Sequence, residues 1–145
     1  VAKKHIHLTL KFLGEVNSKI TEDTVKRLSG VKFKGFSLRL DEVGFFQRKG
    51  LVSVVWVVIK SNKELHSLKD DIEESLLEIY PRDDSFDAHV TLGRVKKMFD
   101  KEKFEYIIKK QGFDDEFEVK EFVLMQSMLT KDGPIYSVVK RFGSN

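Results

Sequence analysis

The chain has 145 residues, 41% of them hydrophobic and none of them cysteine. That is enough for one domain with a sizeable core, and it excludes disulfides, thiolate metal sites and a cysteine nucleophile. A net charge of +3 and a pI near 9.0 lean toward an anionic partner. The most apolar stretch, residues 52–59, falls far short of the ~20 residues of a membrane helix. No membrane partner is expected, and the lack of cysteine is compatible with a cytoplasmic location.

In chain order, residues 5–12 alternate as a strand that ends at Gly14. A helix capped by Thr21 runs to a stop at Gly30. Residues 33–40 read as a half-buried strand. A turn at 47–50 leads into the β-branched run 52–59, a central strand buried on both faces. Leu65, Leu68, Ile72, Leu76 and Ile79 are spaced by three and four, which predicts a helix that stops before Pro81. Residues 86–95 form another strand, and 100–111 a shorter helix burying Phe104, Ile107 and Ile108. Two strands, 117–129 and 135–142, close the chain around the turn Lys131-Asp132-Gly133-Pro134. Hairpins mixed with helices argue for an α+β class with mostly antiparallel pairing.

The most informative feature is a duplication. His7-Leu8-Thr9-Leu10 and His89-Val90-Thr91-Leu92 share one pattern, each within an alternating run. His7 and Thr9 fall on one face, with His5 and Lys11, against Ile6, Leu8, Leu10 and Phe12. His89 and Thr91 likewise oppose Val90 and Leu92. A single His-x-Thr on a strand is ordinary. Two copies at corresponding places can flank one phosphorus. Free histidine titrates at ~6.5, so near neutral pH one ring can accept a proton while its partner donates one. The threonine hydroxyls can donate to non-bridging phosphate oxygens. His5 and His7 form an H-x-H pair, but no third ligand lies nearby, so no metal is expected.

These residues resemble the 2H phosphoesterase superfamily, and within it the RNA 2′,3′-cyclic phosphodiesterases, also called 2′-5′ RNA ligases. The resemblance rests on His7 to Glu15, Ala88 to Val95, and the tail from Ser127 to Tyr136. It implies two pseudo-symmetric lobes of mostly antiparallel sheet with helices outside and an active-site cleft between them. It also implies hydrolysis of a 2′,3′-cyclic phosphate end to a 2′-phosphate without metal or other cofactor, and reversible 2′-5′ ligation when a 5′-hydroxyl replaces water. By similarity His7 is the proton donor and His89 the acceptor, while Thr9, Thr91 and Arg94 hold the phosphate. Arg94 has the opposite strand parity to His89, so the strand must bend or end for it to join them. Phe12 and Tyr136 are candidate substrate contacts, with core packing the competing role for Phe12. The partner implied is RNA bearing 2′,3′-cyclic phosphate or 5′-hydroxyl ends, taken by a monomer. Family members open with a strand and a helix ahead of the first motif. The single domain 1–145 is therefore expected to lack both. Competing readings are a binding module without turnover and a cyclic phosphodiesterase acting on a small nucleotide.

Overall fold

The computed structural model describes residues 7–48, 51–94, 102 and 116–145. In chain order they form α1 (Ser18–Leu28), β1 (Phe36–Arg48), β2 (Leu51–Ile59), α2 (Lys63–Leu76), β3 (His89–Arg94), β4 (Glu116–Val119), β5 (Glu121–Thr130) and β6 (Gly133–Gly143). The class is α+β, with antiparallel pairing between β1 and β2, β2 and β3, and β5 and β6. The predicted helix over 100–111 lies outside the described residues apart from Glu102, as does His5. Among the described residues no helix is long and apolar enough to cross a membrane. The chain divides into two compact units. The first comprises Val1–Leu10, Leu38–Asn62 and Phe86–Phe117, and the second Lys11–Ser37, Lys63–Ser85 and Glu118–Asn145.

The first unit holds β2, β3 and most of β1 of a four-stranded sheet in the order β3-β2-β1-β4. β2 is central, as its β-branched composition predicts, but it is not equally buried on both faces. Val57 and Ile59 are buried while Trp56 and Val58 are only half-buried. The apolar run therefore has a core face and a working face. The first motif does not extend a full ladder. Leu8 makes an isolated antiparallel bridge to Val90, beside β3.

In the second unit α1 packs on α2. Leu65, Leu68, Ile72 and Leu76 form the buried stripe of α2, each worth ~1.5–3 kcal/mol relative to exposure. The α1 cap is Asn17, not Thr21. The Asn17 side chain accepts from the Ile20 amide at 2.9 Å, one turn earlier than predicted, and Thr21 instead donates its hydroxyl to the Asn17 carbonyl. Buried Thr24 donates to the Ile20 carbonyl and so accepts from the Tyr80 hydroxyl at 2.9 Å. Phe122 and Phe142 stack at 4.8 Å, with Phe33 at 5.8 Å from Phe122.

The single strand predicted over 117–129 is two strands. At Lys120 the backbone leaves the four-stranded sheet, the Lys120 carbonyl accepts from the Ser144 amide, and among the described residues β5 pairs only with β6. The β5–β6 turn forms where predicted, with Gly133 at φ +114°, a conformation that suits glycine.

Candidate active site

The bridge between Leu8 and Val90 sets the geometry of the motifs. In antiparallel register one step either way brings His7 level with Thr91 and Thr9 level with His89. All four then occupy the face opposite Leu8 and Val90, and Val90 is buried. The two histidines are a diagonal pair, a relation that places residues ~7–8 Å apart on adjacent strands, with their Cβ atoms somewhat closer. His7 and His89 are exposed, while Thr9 and Thr91 are half-buried. The sequence-predicted motif residues are thus brought together within one unit.

His89 is oriented by its own chain. Its Nδ1 lies 2.9 Å from the Asp87 carbonyl oxygen. A carbonyl only accepts, so Nδ1 carries the hydrogen and Nε2 is the nitrogen left for proton exchange. On the other side stands Trp56, whose ring centroid is 6.4 Å from that of His89 in an edge arrangement of 65°. Trp56 pairs with Thr91 and Val58 with His89 across β2 and β3, so the indole shares the motif face. Trp56 was not legible as a site residue. The signal available was a lone tryptophan in a valine-rich strand, one hairpin away from Gly44.

A register shift disposes of the parity obstacle to Arg94. Val55 pairs with Gly93 and Trp56 with Thr91, so β3 carries one extra residue at Leu92. Positions 94, 91 and 89 consequently line up with 54, 56 and 58. The register shift gives Arg94 the strand parity of Thr91 and His89.

The remaining predicted residues lie in the second unit. Phe12 is 85% exposed, which overturns the core-packing role. Tyr136 is half-buried and pairs with Ser127 in the β5–β6 ladder.

Lys11 departs from the motif alternation. Its Nζ donates to both Glu73 carboxylate oxygens at 3.0 Å, to the Pro81 carbonyl at 3.0 Å and to Asp83 at 2.9 Å. Lys69 completes the cluster, 2.8 Å from Glu73 and 2.6 Å from Asp83. Burial alone would raise the Glu73 carboxyl, but hydrogen bonds from Lys69 and Lys11 outweigh it and hold Glu73 below the usual carboxylate range. The same two donors draw Asp83 down to about 2. Burial would lower the Lys11 ammonium, yet the hydrogen bonds it donates to Asp83 and Glu73 raise it above its ordinary value. Two cations and two anions cancel, so the cluster is a fastening of the second unit. Lys69 and Glu73 lie outside the apolar spacing of α2, so the sequence did not reveal them.

Known proteins are similar to this chain in sequence and in fold. The family model of the 2′-5′ RNA ligase superfamily matches residues 1–129. An RNA 2′,3′-cyclic phosphodiesterase of Archaeoglobus fulgidus is 37% identical over 98% of this chain and 81% of its own length. One from Aeropyrum pernix is 31% identical over 96% and 82%. In fold, Escherichia coli LigT in its apo form superposes with a TM-score of 0.78 at 24% identity, covering 99% of this chain and 78% of that one. The chain belongs to the 2′-5′ RNA ligase superfamily.

Proposed function

We propose that this chain hydrolyses RNA 2′,3′-cyclic phosphate ends to 2′-phosphates. The observation that carries the reading is the Leu8–Val90 bridge, which sets two His-x-Thr motifs side by side on one sheet face. Membership of a family whose curated relatives are RNA 2′,3′-cyclic phosphodiesterases supports the substrate class. The match from residue 1 to 129 supports reading 1–145 as a single catalytic domain.

In the reaction, His89 Nε2 accepts a proton from water as the water oxygen bonds to phosphorus. The bond from phosphorus to the 3′ oxygen breaks, and His7 protonates that oxygen, leaving a 3′-hydroxyl and a 2′-phosphate. The Nδ1 hydrogen bond to Asp87 supports the acceptor role, because it fixes which nitrogen faces the chemistry. Thr9 and Thr91 donate to the non-bridging oxygens, and Arg94 supplies positive charge to the same phosphate. A 5′-hydroxyl replacing water gives a 2′-5′ linkage by the same proton transfers. The protein acts as a monomer on RNA in the cytoplasm. Phe12 and Tyr136 are further candidate contacts for the RNA.

The test is an RNA oligomer ending in a 2′,3′-cyclic phosphate, incubated in EDTA from pH 5 to 9. A 2′-phosphate product with a bell-shaped rate profile is expected. Bound but unconverted RNA would point to a binding module instead. Thr9→Ala and Thr91→Ala are each expected to lower kcat/KM roughly tenfold to a hundredfold, the worth of one hydrogen bond to a charged group. Steady-state kinetics on the same oligomer checks this. An effect equal to that of a histidine substitution would mean that the threonines do more than hold the phosphate.

A further inference from the structure

His89 is exposed, and an exposed side chain changes rotamer rapidly unless its neighbours stop it. One constraint is the bond between Nδ1 and the Asp87 carbonyl oxygen at 2.9 Å. A lone exposed hydrogen bond competes almost evenly with water, so by itself it does not keep the ring in one orientation. The Trp56 indole supplies a second contact, its centroid 6.4 Å from that of the imidazole and its plane inclined by 65°. That edge arrangement lies within the preferred range for ring pairs.

The indole is in turn seated against β1. Trp56 pairs with Gly44 on one side and with Thr91 on the other. A Cβ built at Gly44 would meet Trp56 Nε1 at 2.5 Å, Cε2 at 2.7 Å and Cζ2 at 2.9 Å. Contacts that short are excluded, so the indole occupies the space that any larger residue at 44 would claim. Gly44, Trp56 and His89 therefore form a line of contacts across three strands. Resting on the two-histidine phosphodiesterase reading above, we propose that Trp56, seated across Gly44, is a positioning residue that fixes the ring plane of His89 and with it the direction of Nε2. A general base acts only while its lone pair points at the proton it takes. A misplacement of about 1 Å can cost on the order of 10²-fold in rate.

Trp56→Ala is expected to lower kcat on the cyclic-phosphate RNA oligomer by up to roughly 100-fold, with KM unchanged. Trp56→Phe returns a ring to the position and should recover part of the rate. Gly44→Ala touches no reacting group but displaces the indole, so it should lower kcat too, and added to Trp56→Ala it should cost nothing more. The decisive background is His89→Ala. There the ring to be positioned is gone, and Trp56→Ala should have no further effect. A further loss there, or a rise in KM at constant kcat, would place the indole on the RNA and overturn the proposal. A wild-type kcat in Gly44→Ala would refute the seat. Gly44→Ala supplies the same comparisons if Trp56→Ala fails to fold. Nitrogen NMR of the neutral His89 ring gives a readout without substrate. The wild-type protein should show the Nδ1–H tautomer, and both variants should move toward the tautomer mixture of a free imidazole. Unmoved signals in both overturn the proposal. The two readings separate cleanly. A tautomer that moves in a protein unable to hydrolyse the cyclic phosphate sinks the phosphodiesterase function and leaves the positioning, whereas hydrolysis with an unmoved tautomer sinks the positioning alone.

Discussion

Replacing His89 by alanine is expected to lower the single-turnover rate on a cyclic-phosphate RNA by ~10²–10⁴-fold, the usual contribution of one general acid or base. His7→Ala should do the same. Neither change should disturb folding, because both side chains are exposed and the apolar partners that seat them, Leu8 and Val90, remain. The pH profile separates the roles. A base must be deprotonated to act, so loss of the acceptor removes the rising acid limb of the bell. An acid must be protonated, so loss of the donor removes the falling alkaline limb. His89→Ala is expected to flatten the acid side and His7→Ala the alkaline side. The double variant should be little worse than either single one, since both groups serve one displacement and act as a unit. Full activity in both single variants would refute the two-histidine mechanism. Exchanged limbs would keep the mechanism and reverse the assignment, leaving the Asp87 bond to His89 as an orienting contact only.

The motif residues were legible because their signal is local. Strand alternation puts His7 with Thr9 and His89 with Thr91 whatever the rest of the fold does. What alternation cannot supply is register. The extra residue at Leu92 changes which position of β3 aligns with Val54, and a bulge is a tertiary adjustment with no distinctive residue type at that place. Trp56 was hidden for a related reason. Its importance comes from lying opposite Gly44 and Thr91, two pairings that require the hairpin and β3 to be in place. The division of one predicted strand at Lys120 likewise follows from competition between two sheets for the same chain. Helix α2 shows the limit from the other side. Its apolar spacing predicted Leu65, Leu68, Ile72 and Leu76 correctly, and all four are buried, whereas the fifth position, Ile79, falls beyond the helix end at Leu76 and is half-buried. The same pattern said nothing of Lys69 and Glu73, which are buried only because Lys11 and Asp83 bring opposite charge to them.

That buried cluster carries the largest stability effect expected in the molecule. The side chains of Lys11, Lys69 and Glu73 are 4%, 6% and 3% exposed, while Asp83 is 35% exposed at the rim. Glu73→Ala deprives two buried ammonium groups of the carboxylate they share, while Asp83 remains to both and the Pro81 carbonyl to Lys11. Breaking a buried pair in this way costs ~3–5 kcal/mol. In a chain of this size that lowers Tm by roughly 10 °C. Lys11→Met combined with Glu73→Leu removes one charge of each sign and leaves Lys69 on Asp83. The double variant is expected to melt above the Glu73→Ala single variant, because the penalty comes from uncompensated charge rather than from a lost attraction. The pH dependence follows from the directions of the shifts. Glu73 and Asp83 are depressed in the folded state, so their contribution is complete above the unfolded values near ~4 and is lost as pH falls, for Asp83 toward about 2. Lys11 is raised, so its contribution is complete below its unfolded value near 10.5 and is lost at higher pH. The wild-type advantage over Glu73→Ala should therefore be widest near neutrality. It should narrow in acid, where Glu73 is protonated, and again in strong alkali, where the stranded ammonium groups of the variant can discharge. Thermal melts from pH 2.5 to 11 measure it. A gap that stays constant across that range would mean that Glu73 stabilises by packing alone.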